Sequence, residues 1–396
     1  MSTRPHPRPE NDIVVTGLGV VSPWGCGIDP FWHNLSRGHS AIRPLHNPQL
    51  AGLPCFVAAA VSDFSSLPAA AGHPLAHQFA LTAAVEAWQC AHLPEPGRHS
   101  LRIGLSSALG WGWPESEPWQ IPAPEASGEQ LLARHFQLNG PLSTCLSACA
   151  ASTQALGDAC RLLRSGQADI MLAGGADSRL HLLGASGYSL LGALTRDGET
   201  HAESASRPFN HDRNGFVMGE GAAFVVLESA GHAQKRRAQI LGRILGQAAN
   251  CDASQLTDPA PDGRYAADCI RLALQRSGLE TSAVDYINAH GTGTPANDRS
   301  EIAALQMVFG PALPSIPISS FKSMFGHLSM AAGAIETVGT LLALQHGRLP
   351  PTLNCHQPEW PGLDFVPDSR SFAGRVALKN SFGFGGQNAC LILQGC

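Results

Sequence analysis

Two cysteines lie four residues apart in "STCLSACAASTQALGDA" (143–159), where a strand-like run gives way to an alanine-rich helical one. A thiol at the start of a helix sits beside unpaired backbone N–H groups and the positive end of the macrodipole, which favour the nucleophilic thiolate. Cys149 holds that position, and Cys145 falls in the preceding strand. Cysteine is equally a small apolar core residue, so this stretch alone supports a nucleophile and a packing residue alike. Three later segments bring histidine, lysine, acidic side chains and glycine-rich turns: "NAHGTGTPANDRSE" (288–301), "SSFKSMFGHLSMAAGAIE" (319–336) and "NSFGFGGQN" (380–388).

The elements that must position these groups read as α/β. "DIVVTGLG" (12–19), "RIGLSSA" (102–108), "ADIMLAGGAD" (168–177), "GAAFVVLES" (221–229), "VDYINAH" (284–290) and "ACLILQ" (389–394) are expected strands. Residues 75–92, 149–165, 264–277 and 327–346 have helical length and apolar spacing. Two of these helices share a design. Cys149 is followed by Ala150, Ala151, Ala155 and Ala159 with a stop at Gly166, and His327 by Ala331, Ala332, Ala334 and Ala343 with a stop at Gly347. Each begins on a reactive side chain and ends on a glycine able to take the left-handed C-cap conformation. Small side chains suit both helices to close packing in the interior. The pattern predicts a duplicated βαβ architecture whose two helix starts face one another across a pseudo-twofold axis.

Composition narrows the function classes. The 396 residues are 44% hydrophobic and only 14% charged, enough for a large buried core and unlike a disordered chain. No linker or charge block separates independent domains, so two intimately packed halves are expected. A net charge of −5, with no basic run longer than Lys235-Arg236-Arg237, argues against nucleic acid. The polar start "MSTRPHPRPEND" has no signal-peptide core and Glu336 interrupts the apolar run from Leu328 to Leu344, so a cytoplasmic location is expected. Eleven irregularly spaced cysteines read as thiols rather than a disulfide framework, and a CxxxC without a second pair is a poor zinc site. His73 and His77 enclose a proline and lack a metalloprotease glutamate. The glycines at 17–19 and 383–386 make neither a dinucleotide fingerprint nor a Walker loop.

Taken together with "ACAAS", the three later segments resemble the β-ketoacyl-acyl carrier protein synthases of the elongating type. "VVTGLGVVSPWG", "DIMLAGGAD" and "ASRPFNHDRNGFVMGEGAA" extend the resemblance over nearly the whole chain. It implies a thiolase-like fold, two βαβαβαββ halves in a five-layer αβαβα sandwich, with residues 1–238 carrying Cys149 and residues 239–396 carrying both histidines. It implies Cys149 as acyl acceptor and His290 and His327 as the catalytic histidines. Lys322 matches the lysine five residues before the second histidine, and Glu301 and Glu336 match two supporting acids. Thr257, Thr292 and Thr294 match pantetheine contacts. Phe384 matches a phenylalanine beside the acyl pocket, whose N–H is expected to join that of Cys149 in an oxyanion hole. The implied reaction is decarboxylative condensation of an acyl group on Cys149 with malonyl-acyl carrier protein, in polyketide, polyene or fatty-acid-like biosynthesis. No resident cofactor is implied, since 4′-phosphopantetheine arrives on the acyl carrier protein. The implied partners are that carrier and a second subunit, either a copy of this chain or a chain-length-factor-like one, with no nucleic acid and no membrane.

Several positions depart from the family pattern. The segment that opens at the end of "SSALGWGW" and runs to "LSACAAS" is short and holds Trp111, Trp113, Pro114, Pro118, Trp119, Pro122 and Pro124, and is expected near the dimer seam and acyl tunnel. "SSLPAAAGHP" replaces a basic cluster, which shifts carrier docking to Arg207 and to Lys235, Arg236 and Arg237. Asn297 replaces a usual glycine, and Phe325 and Gln387 replace usual threonines, changes expected to line or flank the site. The rivals are a housekeeping synthase, a chain-length factor, which typically lacks the cysteine, a degradative thiolase, which needs a second cysteine as base, and a cysteine hydrolase.

Overall fold

The computed structural model describes residues 11–46, 50, 52, 57–97, 100–110, 127–197 and 201–396. The strands that organise it are β1 (Ile13–Ser22), β2 (Ile103–Leu109), β3 (Leu142–Thr144), β4 (Ile170–Asp177), β5 (Gly221–Ser229), β6 (Gly242–Cys251), β7 (Tyr286–Asn288), β8 (Ile318–Ser319), β9 (Val376–Gly383) and β10 (Gln387–Gln394). The helices that matter for the site are α1 (Leu75–Cys90), α2 (Ala151–Arg164), α3 (Leu182–Leu190), α4 (Arg264–Ser277), α5 (Pro295–Phe309) and α6 (Ala332–His346).

The strand order is β8-β7-β9-β10-β6-β1-β5-β4-β2-β3. Each half therefore has the same internal order, third-second-fourth-fifth-first, and the two first strands meet antiparallel through Ile13–Val15 and Gly242–Ile244. Pair directions repeat too. The second strand is parallel to the third and fourth, and the fifth antiparallel to the fourth and first, in both halves. The expected duplication is present, and α2 and α6 lie between the halves with strands of both against them. α1 covers the outer face of the first half, and α4 with α5 covers that of the second, which completes five layers.

Burial on both faces explains why these strands read as continuous apolar runs. Along β4, Ile170 and Leu172 join the outer cluster under α1, while Met171 and Ala173 face the central helices. The alanine-rich helices do approach closely. A Cβ on Gly333 of α6 would lie 2.1 Å from the hydroxyl oxygen of Thr153 on α2. Gly166 and Gly347 both take positive φ just past the two helices.

Two expectations change. The helices begin later than residues 149 and 327, each after a one-turn 3₁₀ segment, Ala148–Ala150 and Ser329–Ala331. The counterpart of Cys149 under the duplication is thus Met330, and His327 lies upstream of its helix rather than starting it. Ala148 and Ser329 share the same unusual φ, +47° and +46°, a strained conformation for residues with a Cβ. Strands β6, β8 and β9 have no counterpart among the expected ones, because glycine and alanine dilute β6, β8 is only two residues long, and inward-facing polar residues break the apolar run of β9. The tryptophans and prolines of 111–124 lie outside the described residues.

Candidate active site

The 3₁₀ turn before α2 places Cys149 at the floor of a cavity of about 270 Å³, with His290, His327, Thr257, Thr292, Thr294 and Phe384 among its walls. The sequence thus brings together one thiol, two imidazoles and three hydroxyls from both halves of the fold. His290 follows the end of β7, and His327 follows the short helix Lys322–Phe325, whose backbone it anchors by donating its N–H to Val217 O at 2.7 Å. The two rings meet edge to face with centroids 5.3 Å apart.

Each imidazole is held in one tautomer. The backbone N–H of Ser329 donates to His327 Nδ1 at 3.1 Å, and the Lys322 ammonium, which has donors only, lies 3.3 Å from His290 Nδ1. Both Nδ1 atoms are therefore acceptors, and the proton of each neutral ring sits on Nε2. Burial drives both histidines well below the usual value, and the nearby Lys322 and Lys379 charges push the same way. The result is a pair of neutral N–H donors that stay neutral at physiological pH.

Behind them lies a buried charge cluster. Lys322 pairs with Glu336 of α6 and donates to His290 O at 2.7 Å. Lys379 of β9 meets the other oxygen of Glu336 at 2.9 Å and also bonds Asn380 O at 2.8 Å and the Ser381 hydroxyl. All three charged side chains are 0–1% exposed, so one carboxylate faces two lysines in a dry interior. Lys379 escaped the sequence reading because a lone lysine in "RVALKNSFG" looks like a surface residue. The signal that could have exposed it is the run Lys379-Asn380-Ser381 inside an otherwise apolar strand.

Glu301 of α5 does not touch the cavity. Its carboxylate accepts the N–H groups of His290 at 2.9 Å and Gly291 at 2.8 Å and the Asn380 amide at 3.1 Å, which fixes the loop carrying His290. Burial raises its pKa against those donors. Thr292 and Thr294 share a hydroxyl hydrogen bond of 2.9 Å at the cavity wall.

Cys149 departs from the expectation of an acidic thiol. Burial pushes it up to about 11, although Lys322, Arg179 and the Phe384 N–H directed at its sulfur pull the other way. Desolvation of the thiolate is the largest influence on it. Among the described residues no turn or cap hydrogen bond uses the Cys149 or the Phe384 N–H. The approach depends on Gly383, where a Cβ would lie 2.8 Å from Ser147 O and 3.0 Å from Cys149 N. Cys145 lies elsewhere. It bonds Asp158, and burial holds its thiol up at about 12.

The expected docking cations lie in two places, Arg207 beside the cavity wall, where its partner Asp197 also accepts the Asn214 amide, and the basic triplet elsewhere. Arg207 is 11% exposed and is held by Asp197 and Asp212. Lys235, Arg236 and Arg237 follow the far end of β5, since Glu228 pairs with Ile170 and Gly221 with Asp177, at opposite ends of β4. Arg236 is bound by Glu228 and by Ala91 O. Of the three departures, Asn297 lines the cavity, Gln387 braces the Phe384 turn through Gly385 O at 3.4 Å, and Phe325 lies in the core against Trp24.

Two family models match the chain: the beta-ketoacyl synthase N-terminal domain over residues 10–233 and its C-terminal domain over residues 241–356. The chain is 37% identical over 409 residues to 3-oxoacyl-[acyl-carrier-protein] synthase 2 of Coxiella burnetii, with 96% of this chain and 98% of that one covered. It is 34% identical over 416 residues to the oxytetracycline polyketide putative beta-ketoacyl synthase 1 of Streptomyces rimosus, with 96% of each covered. Among solved structures it is similar to a chain of the AntDE:AntF assembly, a type II PKS acyl-carrier protein in complex with its ketosynthase bound to the hexaketide. The TM-score is 0.88 at 32% identity, covering 98% of this chain and 100% of that one.

Proposed function

The chain belongs to the β-ketoacyl synthase family, and we propose that it joins an acyl group carried on Cys149 to the enolate of a decarboxylated malonyl thioester on an acyl carrier protein. The observation that carries this reading is the pair of neutral imidazoles with Nε2–H donors beside one thiol. In the first half-reaction Cys149 Sγ attacks the carrier thioester, and the Cys149 and Phe384 N–H groups hold the tetrahedral oxyanion. The bond to the carrier sulfur breaks. Because both imidazoles already hold their protons on Nε2, the Cys149 proton goes to the departing carrier thiol, and the exchange is proton-neutral.

In the second half-reaction the malonyl C–C bond breaks and the carboxylate leaves as CO₂. The electron pair passes to the thioester oxygen, which accepts hydrogen bonds from His290 and His327. The enolate carbon attacks the acyl carbon, and the sulfur of Cys149 leaves and takes up a proton from solvent. Thr257, Thr292 and Thr294 line the path of the pantetheine arm. A degradative thiolase would need a second cysteine, and Cys149 is the sole cysteine lining this cavity among the described residues. A chain-length factor would lack it. The experiment is to supply acyl- and malonyl-carrier protein and to map the acylated peptide by mass spectrometry. A β-ketoacyl product with acyl on Cys149 is expected, and stable acylation at Cys145 with none at Cys149 would sink the assignment.

The finer reading is a specialised polyketide or polyene pathway, supported by Asn297 in the cavity wall and the arginine-bearing recess described below. The division at residues 238/239 is supported by the repeated strand order, since it falls between β5 and β6. A dimer, with a copy of this chain or with a chain-length-factor-like subunit, is supported by β3, an edge strand that begins on exposed Leu142 and is followed by exposed Leu146. Light scattering of the chain purified alone separates the two: a dimer is a self-pair, and a monomer active only with a second subunit is the heterodimer. A fully active monomer overturns both.

Lys379 should set the pH range of the decarboxylation. Its charge is one of the forces holding both histidines down, and the neutral imidazole is the working form. Removing the charge lets the histidine pKa rise, so activity is lost at a higher pH on the acid side. Lys379→Met is expected to move the acid limb of malonyl decarboxylation upward. It should also lower stability by about 1–3 kcal/mol, since Glu336 loses a buried donor. An acid limb that stays where the parent has it would contradict this role.

A further inference from the structure

Next to Cys149 lies a second recess of about 540 Å³ that shares only Cys149 and Phe384 with the threonine-lined cavity. Leu146, Leu183 and Met330 make its walls mainly apolar, yet Arg179, His181 and Tyr188 also line it. Tyr188 and Ser329 satisfy each other at 2.8 Å, and His181 Nδ1 accepts the Gly184 N–H at the start of α3 at 3.4 Å. Arg179 differs. Its Nε donates to Asp177 at 2.9 Å, and Asp177 is further engaged by the Met330 N–H at 3.1 Å. The two terminal nitrogens of the planar Arg179 fork donate to no described residue, and the Arg179 side chain, 34% exposed, lines the recess.

A saturated chain filling this space would strip water from those donors and give nothing back, which is the costly way to bury a polar group. Paired carbonyl-type oxygens would meet the fork two bonds at a time. We propose that this recess is the acyl pocket and that Arg179 makes it select acyl groups bearing carbonyl-type oxygens, whether unreduced keto groups or a distal carboxylate, over saturated alkyl chains. The proposal rests on the reading of Cys149 as acyl acceptor. The bond-making step is unchanged: the Cys149 sulfur takes the acyl carbon, and the carrier thiol leaves with the proton.

The test loads one carrier protein with acetoacetyl, 3,5-dioxohexanoyl, glutaryl, hexanoyl or octanoyl groups and follows acylation of the full-length enzyme by intact mass. The parent is expected to take at least one oxygenated class about 10- to 100-fold faster than hexanoyl, the range for hydrogen bonds to a charged group. The keto and glutaryl arms show which oxygen source is used. Because the Arg179 charge also favours the Cys149 thiolate, Arg179→Leu should slow every acyl group but the oxygenated ones most, collapsing the ratio, and a measurable hexanoyl rate shows that the variant is folded. If Arg179→Leu does not fold, Arg179→Gln, which keeps a donor but loses the fork, is expected to narrow the ratio. Equal rates for oxygenated and saturated groups in the parent overturn the proposal, as does an unchanged ratio in a folded variant. Failure of every acyl group to reach Cys149 is a different result, and it overturns the ketosynthase reading itself.

Discussion

Cys149→Ala is expected to lower condensation by at least about a thousandfold, while malonyl thioester continues to lose its carboxyl group. The two outcomes separate because the groups are separate. Cys149 supplies the sulfur that carries the acyl chain, and the Nε2–H donors of His290 and His327 act on the other substrate. Removing the sulfur leaves both imidazoles, Lys322 and Glu336 in place, so the enolate still forms and is quenched by a proton instead of the acyl carbon. The measurement is CO₂ release from malonyl-carrier protein beside product formation. Loss of both activities in a folded variant would contradict the division of labour. The parent thiol carries a second signature. Burial holds it up at about 11, so its alkylation by iodoacetamide should climb steadily from about pH 7 to about pH 10, where an acidic active-site thiolate would already be saturated.

Much of this site was legible because its parts sit in short segments of distinctive residues: a cysteine before small residues, a histidine before glycine and threonine, a lysine five residues ahead of a second histidine. The duplicated fold was legible for a similar reason, since the helices that pass between the halves must be small-sided, and alanine runs announce that. What stayed hidden is what only three-dimensional closure decides. Lys379 is buried by β10 on one side and by α6 above, and its partner Glu336 is 43 residues away in the chain, a separation no local pattern reports. The position of the basic triplet was hidden for the opposite reason. A basic triplet is visible in any sequence, but which end of a strand it follows depends on antiparallel register, and register placed it away from β4's Asp177 end. The raised pKa of the Cys149 thiol was hidden because a helix start is a local feature, whereas desolvation sums over everything packed around the sulfur.

Replacing either histidine should produce the mirror image of the cysteine variant. His290→Ala and His327→Ala are each expected to slow malonyl decarboxylation about 100- to 1,000-fold, the typical effect of deleting one donor to a developing oxyanion, while Cys149 still accepts acyl groups, though more slowly. Each ring is placed by a different device, and this separates the two sites further. His327 is locked by a backbone amide, that of Ser329 in its strained φ of +46°, whereas His290 is locked by the Lys322 ammonium. Lys322→Met should therefore release the His290 tautomer and impair decarboxylation as a partial His290 loss. Its effect combined with His290→Ala should be smaller than the product of the two, because the two changes remove one shared function. Combined with His327→Ala it should be closer to multiplicative. Decarboxylation by either histidine variant at the parental rate would remove that ring from the enolate. Identical coupling of Lys322 to both rings would show that its work is electrostatic in general rather than directed at His290.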